Sequence, residues 1–180
     1  MSRDRKWKLL KRKIVYDSKF MKVYEDSIRL PNGLTIPDYT VVKKLDGVMI
    51  VATDNQGKIL VLKEYKHAAS RYLLVLPAGH KEKGESVIKT ARRELLEETG
   101  MTAKSFENLG TLYEYPTKDL HKLYVVRAKN AFYLKEPIHE TTESIAMCRF
   151  ISKRKLRLRM KRDFRSSSPI AALALAGILS

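Results

Sequence analysis

Three glutamates, Glu94, Glu97 and Glu98, sit in a stretch whose apolar residues Val87, Ile88, Ala91, Leu95 and Leu96 recur at helical spacing. On a helix, Glu94 and Glu98 project their carboxylates from one face, with Glu97 beside Glu94. Like charges placed this closely repel, so a cation or an arginine must offset them. Hard oxygen donors at this spacing suit Mg²⁺ or Mn²⁺ better than zinc. A glutamate-rich helix taken alone also reads as a solvated face on which Lys89, Arg92 and Arg93 pair with the acids.

The residues around the helix favour the metal reading. From Gly79 the chain gives five residues, Glu85, seven residues, Arg93-Glu94-Leu95, one residue, Glu97-Glu98, one residue and Gly100-Met101. This pattern resembles the Nudix box at every specified position. A glycine at position 79 lets the chain bend sharply enough for a backbone oxygen, that of Ala78, to approach a metal. The resemblance implies that Glu94, Glu97 and Glu98 hold the metal, with Glu97 and Glu98 at the catalytic centre. It also implies that Glu85 and Arg93 form a salt bridge that orients the site.

The resemblance extends over nearly the whole chain, to the Nudix branch that hydrolyses ADP-ribose and other nucleoside diphosphate sugars. It rests on Leu76-Pro77-Ala78-Gly79, on Glu64-Tyr65-Lys66, and on Pro116, fifteen residues beyond Met101. The late segments Glu140-Thr141-Thr142-Glu143-Ser144-Ile145 and Ser168-Pro169-Ile170-Ala171-Ala172-Leu173 resemble the family's late loop and last helix. In relatives that loop delivers a glutamate to the reaction centre, which implies Glu143 or, failing it, Glu140. Lys66 and Arg71 become candidates for phosphate contacts, and Phe20 or Tyr39 for stacking on a base. A homodimer built through the N-terminal strands is also implied. Three departures bear on the substrate: Val75 stands where many relatives carry glutamate, Lys66 replaces a frequent arginine, and Thr117-Lys118-Asp119-Leu120-His121 lacks the glycine and serine expected after Pro116. Two other readings stay open, a Nudix hydrolase acting on RNA 5′ ends or dinucleotide polyphosphates, and a nucleotide-sugar sensor without turnover.

The elements expected to position these residues alternate strands with few helices. Lys13 to Tyr16, Met21 to Leu30 and Asp38 to Leu45 are predicted as N-terminal strands, with a turn at Pro31-Asn32-Gly33. Gly47 to Ala52 and Ile59 to Tyr65 are predicted as a hairpin around Thr53 to Gly57, followed by a strand at Tyr72 to Leu76. Ser86 and Gly100 bracket the acidic helix as caps. Strands are expected at Ala103 to Tyr115, Leu123 to Tyr133 and Ser144 to Phe150. A basic helix is expected from Ser152 and a last helix capped by Ser168 with Pro169 in its first position. The order implies a mixed sheet flanked by helices, an α+β fold of α/β/α sandwich type, in a single domain spanning 1–180. Its N-terminal β region, 1–45, precedes a core at 46–180 that holds the box at 79–101.

At 180 residues, 44% of them apolar, the chain can bury a sizeable core. Cys148 is its single cysteine, which rules out an intrachain disulfide and suits a reducing compartment, so a cytoplasmic protein is expected. The longest apolar run, Pro169 to Leu179, is too short to cross a bilayer. The net charge of +16 concentrates in Arg3 to Lys13 and Lys153 to Arg165. Basic runs of this kind attract polyanions, nucleic acid among them, but they lack the several interleaved surface aromatics that would stack successive bases.

Overall fold

The structure is a computed structural model that describes residues 6–138, 144–160 and 162–179. It divides into two compact units: one runs up to Leu45 and takes in Tyr113–Lys122, and the other comprises Asp46–Leu112 and the chain from Leu123 onward.

The first unit is an antiparallel sheet of β1 (Lys8–Asp17), β2 (Met21–Arg29) and β3 (Thr35–Lys44), in that order. β1 begins five residues before the expected Lys13. Every residue of β1 is exposed, so no alternation of apolar and polar residues marks its extent. Pairing holds it instead: Arg12 donates two hydrogen bonds, of 2.7 and 2.6 Å, to Asp26, which is buried on β2. Tyr113–Lys122 attaches to β3, with Val42 N–H donating to Lys118 O at 2.7 Å and Leu120 N–H to Val42 O at 2.8 Å. Lys44 pairs with Asp119 at 2.6 Å. His121 is buried between the Leu45 carbonyl and the Glu114 carboxylate, and the bond to Glu114 raises its pKa. The unexpected residues after Pro116 are thus the ones that fasten this segment to β3.

The second unit carries a seven-stranded mixed sheet. Its main path runs β10 (Ile145–Ile151), β5 (Ile59–Lys66), β4 (Gly47–Thr53), β9 (Leu123–Tyr133) and β8 (Met101–Leu112). Only β4 and β9 pair in parallel. β6 (Arg71–Val75) pairs with β5, and β7 (Ala78–His80) with β4. The expected hairpin between β4 and β5 is paired at Thr53↔Ile59 alone. Beyond that point the two strands diverge: Gly47, Val48 and Met49 pair with His80, Gly79 and Ala78, while Leu62 to Lys66 pair with β6. This fork admits the Pro77-Ala78-Gly79 segment, and Ile50 N–H donates to Pro77 O at 2.8 Å.

β4 is buried on both faces, which is why it reads as the continuous apolar run Val48-Met49-Ile50-Val51-Ala52. Val48, Ile50 and Ala52 pack with Leu60, Ala91 and Leu95 under α1 (Val87–Thr99). Met49 and Val51 pack on the other face with Leu156 of α2 (Lys153–Met160) and Leu173 of α3 (Ser167–Leu175). The sheet between helices is the α/β/α sandwich that the order of elements implies. α3 starts two residues earlier than expected, with Ser166 as its N-cap and Pro169 in its third position. Three consecutive serines, Ser166 to Ser168, make the cap ambiguous in the sequence, and proline is tolerated throughout the first turn. β8 stops at Leu112 instead of Tyr115, because Tyr113 already belongs to the segment tied to β3.

The ends of α1 are fixed as their residues dictate. Ser86 Oγ accepts from Lys89 N–H at 3.2 Å, and Gly100 takes the left-handed conformation at φ 67° with its N–H on Leu96 O. A Cβ on Gly100 would collide with the backbone oxygen of Lys135. Gly100→Ala is therefore expected to lower stability by about 2 kcal/mol or more in urea unfolding, the left-handed backbone alone accounting for about 1–2 kcal/mol.

Candidate active site

Helix α1 presents its acids toward the backbone that the β4–β5 fork admits. Glu94 packs its carboxylate directly over Gly79, where any Cβ would overlap it. Glycine is required at position 79 by this close approach, since its φ is not in the positive range. One turn further along, Glu98 accepts from Ala78 N–H at 3.1 Å. Two buried carboxylates of one helix face therefore rest on two successive residues of one short strand, β7.

Arg93 is the cation at the centre of the cluster. Its Nε and Nη2 donate to the two oxygens of Glu85, at 3.3 and 3.0 Å, and Nη2 also donates to His80 O at 3.0 Å. Nη1 donates to Glu94 at 2.7 Å and to Glu97 at 3.1 Å. One guanidinium thus serves three carboxylates, and its own pKa is raised, with the Glu85 hydrogen bond as the main cause. The same bond pulls Glu85 down to about 2 against the opposing effect of desolvation, with help from the Thr90 hydroxyl, which donates at 2.8 Å. Thr90 is fully buried and was not singled out in the sequence. The signal was its position one helical turn after the Ser86 cap, on the inward face.

The acids offer only oxygen donors, the chemistry that suits a hard divalent cation. Among the described residues no group of three or more His, Cys, Asp or Glu side chains converges as a metal cage. The hydrogen bonds give the reason: Arg93 draws Glu94 and Glu97 toward itself, and the Ala78 amide holds Glu98. On β10, Cys148 keeps contact with solvent but has its thiol pushed up to about 11, chiefly by desolvation and then by the negative charge of Glu98.

The remaining predicted residues are placed as follows. Lys66 and Arg71 are cross-strand partners in the β5–β6 ladder. Lys66 Nζ lies 2.5 Å from Glu64, and Arg71 Nε donates to Ala69 O at 3.3 Å. Phe20 and Tyr39 belong to the first unit. Phe20 is exposed beside Lys19, whereas Tyr39 has Lys118 over its ring at 3.3 Å and donates its hydroxyl to Thr117 O at 2.5 Å. Glu140 and Glu143 lie outside the described residues.

Because the pKa of Glu85 is lower folded than unfolded, its contribution to stability is present above pH about 4.5 and is lost as pH falls toward about 2. Glu85→Gln is expected to cost about 2 kcal/mol at pH 7, where a buried charge-assisted pair is lost, and much less at pH 2. Urea unfolding of both proteins across that range measures the difference, and a pH-independent difference would remove the ion pair as its cause.

Residues 43–172 match the NUDIX domain family, and residues 7–42 match the nucleoside diphosphate sugar hydrolase N-terminal domain. Over 109 residues the chain is 34% identical to an ADP-ribose pyrophosphatase of Bacillus subtilis, covering 61% of this chain and 58% of that one. Over 122 residues it is 31% identical to a methanol dehydrogenase activator of Bacillus methanolicus, covering 67% and 65%. An ADP-ribose pyrophosphatase of Mycobacterium tuberculosis is 39% identical over 92 residues, 51% of this chain and 44% of that one. The matches thus span about half to two thirds of these relatives' lengths. A crystal structure of an ADP compounds hydrolase shares the fold, with a TM-score of 0.80 over 98% of this chain and 95% of that one at 22% identity. The Gly79 to Met101 pattern, the sandwich that carries it and the family match over most of the chain agree: this chain belongs to the Nudix family.

Proposed function

We propose that the chain is a Mg²⁺-dependent pyrophosphohydrolase that opens the diphosphate of nucleoside diphosphate sugars, ADP-ribose foremost, to a nucleoside monophosphate and a sugar phosphate. The observation that carries this reading is the seating of Glu94 and Glu98 on Gly79 and Ala78, with Arg93 organising Glu85, Glu94 and Glu97. The match of residues 7–42 and the two ADP-ribose pyrophosphatases among the relatives support the substrate class.

Glu94, Glu97, Glu98 and the Ala78 carbonyl would hold Mg²⁺, with Mn²⁺ as a substitute. When bound, the cation neutralises the diphosphate as charge develops in the transition state. Arg93 tethers Glu94 and Glu97 so that the carboxylates reorient over a short distance instead of being gathered from solvent. Glu143 or Glu140 would position or deprotonate the attacking water. Lys66 and Arg71, adjacent across β5 and β6, would contact phosphate; Lys66 supplies a point charge rather than the planar fork of an arginine. For stacking on a base, Phe20 is the freer candidate, because Lys118 already covers the Tyr39 ring. The first unit would serve as the dimerisation part of a single functional domain. The exposed Leu9, Ile14 and Tyr16 on β1 offer apolar surface for a second copy. Among the described residues no helix is long and apolar enough to cross a membrane, and the cytoplasm is the compartment we propose.

Incubation with Mg²⁺ and a panel of ADP-ribose, other nucleoside diphosphate sugars, dinucleotide polyphosphates and triphosphorylated RNA, with product analysis, tests this reading. AMP and ribose 5-phosphate are expected, abolished by chelation, and reduced roughly 100-fold or more in kcat by Glu98→Gln. Pyrophosphate released from RNA with no turnover of any sugar nucleotide would replace this substrate class. Binding without turnover would leave a sensor.

A further inference from the structure

On the face of the sheet opposite α1, a second feature is built almost entirely from cations. A cavity of about 750 Å³ is lined by Lys58, Arg149, Lys155, Arg159 and Arg162, with the exposed Leu158 among them and no acidic side chain in its wall. It adjoins a cavity of about 410 Å³ that shares Arg149, Arg159 and Arg162 and adds Lys63, Tyr72 and Asp163. Asp163 is the one acid in the two cavities, 3.7 Å from Arg159 and 3.4 Å from Arg162. Among the described residues Lys58, Arg149 and Lys155 have no acidic partner.

The orientation follows from the pleat of β10. Met147 and Ile151 pack on the α2 and α3 side, so Arg149 between them points to that side, whereas Phe150 packs on the α1 side. The groove is therefore separate from Glu94 and Glu98. Its cations come from the β4–β5 turn and, some ninety residues on, from β10 and α2, so it is more than one basic run seen end on.

We propose that this groove binds a single strand of nucleic acid, with the cations tracking successive phosphates and Tyr72 and Leu158 meeting bases. The two adjoining cavities form a track longer than one nucleotide needs, and Lys58, Arg149 and Lys155 along it supply cations that match a repeating anion. Tyr72 separates this ligand from a bare polyphosphate. Its ring is about half exposed, with Lys63 Nζ 5.3 Å from its centre and Tyr65 packed edge-on at 5.5 Å, which fixes a π surface beside the charge. The inference does not depend on the hydrolytic reaction, since none of these residues belongs to its machinery.

The test is fluorescence anisotropy with a labelled 12-nucleotide oligo(U), beside inorganic polyphosphate of similar charge and vesicles containing phosphatidylserine. Binding is expected to weaken with salt at a slope of about −2 to −4, for roughly three to five phosphate contacts. Lys58→Gln, Arg149→Gln and Lys155→Gln combined should raise Kd tenfold or more and reduce the slope by about 2. Tyr72→Ala should raise Kd about fivefold or more at unchanged slope. Arg149→Gln alone, an exposed change, should give an intermediate loss if the triple variant folds poorly. The triple variant should keep the parent's hydrolytic rate. Lys8→Gln, Lys11→Gln and Lys13→Gln combined remove the same charge from β1 and should change Kd less than threefold. An equal loss in that control, or none in the groove variant, would overturn the proposal. So would polyphosphate or vesicles binding as tightly as oligo(U) with no effect of Tyr72→Ala.

Discussion

A single guanidinium shared among three carboxylates is the constraint around which the candidate site is built. Arg93 reaches Glu85 ahead of the helix, Glu94 beside it and Glu97 one turn on, and also takes the His80 carbonyl of β7. Glu94 and Glu98 are buried, and Glu85 and Glu97 crowd the same guanidinium. A buried excess of negative charge is costly unless a cation joins it. Arg93 is the element that keeps these acids together, and this cluster is where we propose that a divalent metal binds.

That arrangement requires a place where helix acids can lie against bare backbone. The divergence of β4 and β5 beyond Thr53↔Ile59 provides it, because β7 enters beside β4 and brings Ala78 and Gly79 under α1. Gly79 leaves the space that the Glu94 carboxylate fills, and Ala78 offers the N–H that Glu98 takes. The two apolar clusters on either side of the sheet hold β4 rigid beneath this contact. A precise site on a stiff central strand is what a reaction sensitive to sub-ångström placement needs.

The helix and its chemistry were legible because local signals agree there: Ser86 caps, apolar residues recur at helical spacing and Gly100 ends the run. The same holds for β4 and β9, whose apolar runs leave little choice. Other features depend on partners distant in sequence. β1 shows no burial pattern, and what defines it is Arg12 finding Asp26 on β2. The fork in the hairpin depends on β6 and β7 competing for the pairing that β4 and β5 would otherwise make with each other. The residues after Pro116, which read as a departure in composition, acquire a reason only when Lys118, Leu120 and His121 are seen fastened to β3 and the end of its strand. Thr90 was invisible as a site residue because its role is to meet Glu85 from within the fold.

The central claim is that Glu94 and Glu98 share a divalent cation on the Ala78-Gly79 backbone. Titration of Mn²⁺ into the protein, followed by electron paramagnetic resonance of the free ion, tests it most directly and does not depend on substrate. The account predicts saturable binding that is lost in a Glu94→Gln, Glu98→Gln variant with an intact circular dichroism spectrum. Binding of the same stoichiometry and affinity in that variant would contradict it.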